Sequence, residues 1–142
     1  MNEEFNGIER RLERLRGCLQ KLEPLRAKRR DEFEDDPYLK DIVERNLEVA
    51  AQACIDIANR IITLERLEKP ADAYGAIEAL GEIGVLPREL AQRLAPITGL
   101  RNILVHEYLR IDWDQVLDNL QRLIDLHKFA EHVAEWMRNR SV

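Results

Sequence analysis

The sequence predicts an all-α fold: an up-and-down bundle of four main helices plus a short connecting helix. Three observations predict it. Apolar residues recur at alternating spacings of three and four along most of the chain, the period of one face of a helix. Charged residues make up 35% of the chain and hydrophobic ones 45%, with only 6 Gly and 5 Pro among 142 residues, a mix that favours helices over sheets. The breaks in the pattern fall at proline, glycine and acidic cap signals, and no strand alternation of useful length interrupts them. One domain over 1–142 accommodates all of it.

The first segment spans 3–33. Phe5, Ile8, Leu12, Leu15, Leu19 and Leu22 form a heptad-like seam suited to lengthwise packing against another helix. Pro24 donates no backbone hydrogen bond, so the helix kinks or restarts there. Arg26, Lys28, Arg29 and Arg30 follow; they fit either an RNA-backbone contact or a solvated helix end. Asp36-Pro37 is a helix start, an acidic N-cap before proline at the first helical position. The second long helix runs from about 37 to 67, with Leu39, Ile42, Val43, Leu47, Ala50, Cys54, Ile57, Ala58 and Ile61 on its inner stripe. Asp56, Asn59 and Arg60 lie on a polar flank that either borders a site or faces solvent. Lys69-Pro70 ends this helix.

A short helix is predicted at about 72–82, with Gly84 as a left-handed cap and Val85-Leu86 turning back to the core. Pro87 starts the next helix, which Pro96 and Gly99 then break or kink. Asp112 and Gln115 form a capping box, and a last helix spans about 113–138 along Val116, Leu120, Leu123, His127, Ala130, Ala134 and Met137.

Several function classes are disfavoured. A formal net charge of −5 argues against a general, charge-driven nucleic-acid coat. It leaves room for one local cationic pocket. Cys18 and Cys54 occupy apolar helical positions and read as buried thiols of a reducing cytoplasm. No apolar run approaches a membrane span, and the opening Met-Asn-Glu-Glu is no signal peptide, so a cytoplasmic protein is expected. No carboxylate–histidine set has metal-ligand spacing; His127 and His132 are five apart, on different helix faces. The one serine, Ser141, is at the C-terminus and suits no triad.

The chemistry concentrates in Gly99 to Asp112. Arg101, Asn102, His106 and Tyr108 interrupt an apolar run of Leu100, Ile103, Leu104, Val105 and Leu109. On a helical wheel Asn102 and His106 share a face, whereas Arg101 and His106 diverge by roughly 140°. A kink or a second subunit must therefore close the gap between them. Arginine donates paired hydrogen bonds to phosphate, and histidine exchanges protons near neutral pH. Together they suit activation of a ribose 2′-hydroxyl and stabilisation of charge developing on phosphorus, with no metal. The same residues also fit a helix–helix contact with one satisfied histidine.

Arg101-Asn102-Ile103-Leu104-Val105-His106-Glu107-Tyr108 resembles the Arg-x-x-x-x-His-x-Tyr signature of HepT-type toxins in the HEPN superfamily. Asp36-Pro37, Glu44-Arg45-Asn46-Leu47, Ala53 to Asn59, Gly84-Val85-Leu86-Pro87 and Tyr108 to Asp112 resemble that family in the same order. The resemblance implies a HEPN-like helical homodimer that is a metal-independent endoribonuclease needing no cofactor. It also implies two partners, an RNA substrate and a minimal nucleotidyltransferase antitoxin of the MntA type. On this resemblance Arg101 and His106 act on RNA, Asn102 orients the phosphate or His106, and Tyr108 is where the antitoxin attaches AMP. Physically, a phosphate added beside Arg101 occupies the place of an RNA phosphate. The alternative is a non-catalytic HEPN module that binds a nucleotide or its antitoxin.

Overall fold

The computed structural model describes residues 5–107 and 109–140. Among these the chain is all helical: α1 (Asn6–Leu22), a 3-10 turn (Glu23–Leu25), α2 (Arg30–Asp35), α3 (Pro37–Leu64), α4 (Ala73–Glu82), α5 (Arg88–Leu94), α6 (Ile97–His106), α7 (Trp113–Gln121) and α8 (Leu123–Arg140). Tyr108, the expected modification site, lies outside the described residues.

The long α3 is the axis of the bundle. Its 28 residues span about 42 Å at the usual helical rise, and it packs against α1, α2, α4, α6 and α7. Its small residues Ala50, Ala51, Ala53 and Ala58 are all buried, which lets neighbours approach closely. The α1 seam is buried as predicted, from Phe5 through Ile8, Leu12, Leu15 and Leu19 to Leu22. The core is continuous from that seam through α3 to Leu100, Leu104, Val116, Leu120, Phe129 and Val133. Cys18 of α1 and Cys54 of α3 are buried free thiols. Among the described residues no helix is long and apolar enough to cross a membrane.

Most boundaries follow from caps. The Asp36 carboxylate accepts from the Tyr38 amide at 3.0 Å, ahead of α3. Asp72 accepts from the Gly75 amide at 2.8 Å, ahead of α4. Asp112 accepts from the Asp114 amide at 2.9 Å, ahead of α7. Gly84 has φ +83°, and the amides of Val85 and Leu86 both return to the Leu80 carbonyl.

The break expected at Pro24 is present, and two other boundaries differ from expectation. The first segment divides: α1 stops at Leu22, Pro24 sits in a 3-10 turn, and α2 begins only at Arg30. The long helix ends at Leu64, where Arg66 takes φ +57° and its amide bonds back to Thr63. The last helix divides at Arg122, whose amide bonds to Asn119 while its side chain donates to the Arg93 carbonyl at 2.8 Å. The apolar stepping continues across that break, because Leu120 and Leu123 are both buried.

Candidate active site

The polar cluster is built on α6. Pro96 precedes the helix, and its missing N–H cannot continue α5. The amides of Thr98 and Gly99 instead bond to Ala95 and Pro96, and the buried Thr98 hydroxyl donates to the Ala95 carbonyl at 2.9 Å. The break therefore sits at Pro96, and Gly99 is an ordinary helical residue inside α6. Leu100 and Leu104 anchor the helix to the core.

Ten residues long, α6 packs against α3. Arg101 touches Gln52, whereas Trp113, further along the chain, meets Glu44 and Lys40 nearer the start of α3. This seam places the predicted residues differently. Arg101 is half-buried and turned toward α3, while Asn102 and His106 are exposed. Among the described residues the side chains of Asn102 and His106 make no hydrogen bond with each other or with Arg101. The divergence seen on the wheel thus persists within one chain.

The residue missed from sequence is Gln52. Its side-chain oxygen accepts from Arg101 Nη1 at 2.7 Å. Its amide nitrogen donates to Asp56 Oδ1 at 2.9 Å, and Asp56 Oδ2 lies 3.7 Å from Arg11 Nε. Four side chains on α1, α3 and α6 form one polar chain ending at the predicted phosphate-binding cation. The i,i+4 pairing of Gln52 with Asp56 is visible in the sequence, but its link to Arg101 depends on how α3 and α6 are rotated. Arg101 Nε is buried without an acceptor. Beside this chain lies a concavity of about 460 Å³ lined by Arg11, Asp56, Asn59, Arg60, Thr63 and Leu64, so the flank predicted to border a site does face an open recess.

The cations of the basic run are all paired. Arg26 pairs with Glu23, Lys28 with Glu32, Arg29 with Asp31 and Glu32, and Arg30 with Glu34 and Asp114. These cations are already met by carboxylates, which supports the solvated reading. His127 contacts Glu23 at 3.2 Å and belongs to the same surface network. Among the described residues no group of three or more His, Cys, Asp or Glu is placed to hold a metal ion. Glu44, which accepts from the Trp113 indole, has its carboxyl pushed above the usual range by burial, with the charge of Asp41 adding to the effect.

Comparison with known proteins converges on one family. The family model described as ribonuclease HepT-like matches residues 8–133. A tRNA nuclease HepT from Aphanizomenon flos-aquae is 38% identical over 109 residues, 77% of this chain and 74% of that protein. An mRNA nuclease HepT from Shewanella oneidensis is 34% identical over 101 residues, 70% of this chain and 76% of that protein. The solved structure of a tri-AMPylated Shewanella oneidensis HEPN toxin in complex with MNT antitoxin superposes with a TM-score of 0.80 at 28% identity. That superposition covers 95% of this chain and 99% of the toxin.

Proposed function

The chain belongs to the ribonuclease HepT-like family, and from that premise we propose that it is an endoribonuclease toxin of a toxin–antitoxin module, with 1–142 acting as one HEPN-like domain. The observation that carries the reading is the state of Arg101. It is a half-buried guanidinium held by a neutral amide on a helix whose far end presents an exposed histidine. An arginine held this way keeps its charge for a phosphate.

The chemistry follows from the two side chains. His106 removes the proton of a ribose 2′-hydroxyl, and the resulting oxygen attacks the adjacent phosphorus. The bond to the 5′-oxygen breaks, that oxygen takes up a proton, and a 2′,3′-cyclic phosphate remains. Arg101 stabilises the charge that develops on the phosphoryl oxygens. Asn102, one turn before His106 on the same exposed face, orients the phosphate or the imidazole. No step calls for a cofactor.

Two copies complete the site. Tyr38 is 79% exposed and Leu109 85%, and Ile42 and Val105 are also open. Tyr38 and Ile42 are on α3, Val105 is on α6 and Leu109 follows it, so a second copy covering this surface shelters apolar area and brings a second α6 toward the first. The other partners are RNA and a minimal nucleotidyltransferase antitoxin, which silences the toxin by transferring AMP to Tyr108. Buried free thiols suit the cytoplasm.

The test is a gel of total RNA treated with wild type and with His106→Ala. Wild type is expected to cleave without added metal and in the presence of chelator, and His106→Ala to lose about 10²–10⁴-fold. The exposed position makes the fold indifferent to the change. Binding of RNA without cleavage by wild type points instead to the non-catalytic module. Undiminished cleavage by His106→Ala removes the assignment. For Tyr108 the readout is intact mass after incubation with the antitoxin and ATP: discrete AMP increments in wild type, absent in Tyr108→Phe.

A further inference from the structure

We infer that Gln52 is a positioning residue for Arg101, and that its being a neutral amide rather than a carboxylate keeps the Arg101 charge available to RNA. The inference rests on the proposed ribonuclease reading and goes beyond it, because it places part of the machinery on α3.

The geometry gives Gln52 one orientation. Its oxygen receives Arg101 Nη1 at 2.7 Å, and its nitrogen gives to Asp56 at 2.9 Å. Flipping the amide would set two donors face to face at Arg101 and two acceptors face to face at Asp56, losing both bonds. Asp56 therefore fixes the direction of the amide, and Arg11 lies against the far oxygen of Asp56. Arg101 in turn is held by its bond to Gln52. Its Nε is buried without an acceptor, and an arginine free to rotate would solvate that group. The bond to Gln52 fixes the guanidinium and leaves N–H groups of the half-buried side chain without a carboxylate partner.

Charge explains why an amide stands here. The carboxylate in this polar chain, Asp56, is set one side chain back from Arg101 and faces Arg11. A glutamate at position 52 would have the same reach and would form an ion pair with Arg101. An incoming phosphate would then have to displace an anion already in place. The amide supplies the positioning hydrogen bond without that competition.

The test uses full-length protein and a labelled mixed-sequence oligoribonucleotide in single-turnover cleavage, with Tm as the folding control. Gln52→Ala is expected to lose about tenfold in maximal rate as Arg101 loses its fixed geometry. Gln52→Glu is expected to raise the half-saturating enzyme concentration tenfold or more. The decisive variant is the exchange Gln52→Glu/Asp56→Asn. It restores an amide–carboxylate hydrogen bond between the two positions but leaves Arg101 facing a carboxylate, so it is expected to stay as defective as Gln52→Glu. Adding Gln52→Ala to Arg101→Ala is expected to cost nothing further. If the exchange variant cleaves like wild type, Gln52 is merely structural and the inference falls. It falls also if Arg101→Ala loses cleavage while Gln52→Ala and Gln52→Glu do not. If Arg101→Ala itself cleaves like wild type, the ribonuclease reading built on Arg101 fails instead.

Discussion

Replacing Arg101 with lysine separates charge from geometry at the proposed site. The guanidinium can do two things at once: Nη1 holds Gln52 at 2.7 Å, and further N–H groups remain to meet a phosphate. A lysine ammonium has one nitrogen on a shorter reach, so it either bonds Gln52 or meets the phosphate squarely. The expected loss is one charge-assisted hydrogen bond, about 1.5–3 kcal/mol, which corresponds to roughly 10–150-fold in kcat/KM. Stability moves differently. Arg101 Nε is a buried donor with no acceptor, which costs about 1–3 kcal/mol, and lysine has no such group. The variant is therefore expected to melt no lower than wild type while cleaving far more slowly. The assay is single-turnover RNA cleavage paired with a thermal melt of the same preparation. Cleavage within threefold of wild type would refute the geometric argument and leave Arg101 a simple point charge. A melting temperature lower by more than about 5 °C, over 1 kcal/mol for a chain of this size, would refute the assignment of the buried Nε as a cost.

Other predictions follow from the scaffold. Gly84→Ala is expected to destabilise by about 1 kcal/mol by denaturant titration, wholly through backbone strain, since φ is +83° and a Cβ there meets nothing within 4 Å. Gly81→Ala is expected to cost about 1–3 kcal/mol by the same measurement, because its Cβ would lie 2.7 Å from that of Ala91 and push α4 from α5. Glu44 titrates higher in the fold than in the unfolded chain, mainly through burial. Its contribution to stability is thus full at low pH and lost as pH rises through the folded-state value. Glu44→Gln is accordingly expected to gain stability relative to wild type as melts move from pH about 4 to about 7.

The fold was legible where one residue type decides the outcome locally. Asp36-Pro37, Gly84 and Asp112 each determine a boundary through a cap or a left-handed turn, and each falls where the sequence placed it, although Asp112 accepts from the Asp114 amide rather than closing a box with Gln115. The break around Pro24 was legible from the proline, but its length, with α2 resuming only at Arg30, and the break at Arg122 were not, because the apolar spacing tolerates them. At Arg122 the reason is tertiary: its side chain reaches the Arg93 carbonyl, while Arg93 pairs with the buried Asp125 at 3.2 Å. The site shows the same division. Arg101, Asn102 and His106 stand out as polar groups in an apolar run, so their presence is a sequence property. Gln52 looks like any half-exposed helical glutamine, and the packing of α6 on α3 is what brings Arg101 to it.

The short span of α6 has a consequence for when activity can exist. Ten residues are too few to hold a helix in water unaided, and Pro96 denies α6 any continuity with α5. The distance between Arg101 and His106 is therefore set only once Leu100 and Leu104 have docked on α3. A chain still emerging from the ribosome, or one partly unravelled by heat, carries the proposed site residues without their arrangement. The proposed toxicity is thus a late product of folding, and the cell that makes the protein is exposed to it only after the core has closed.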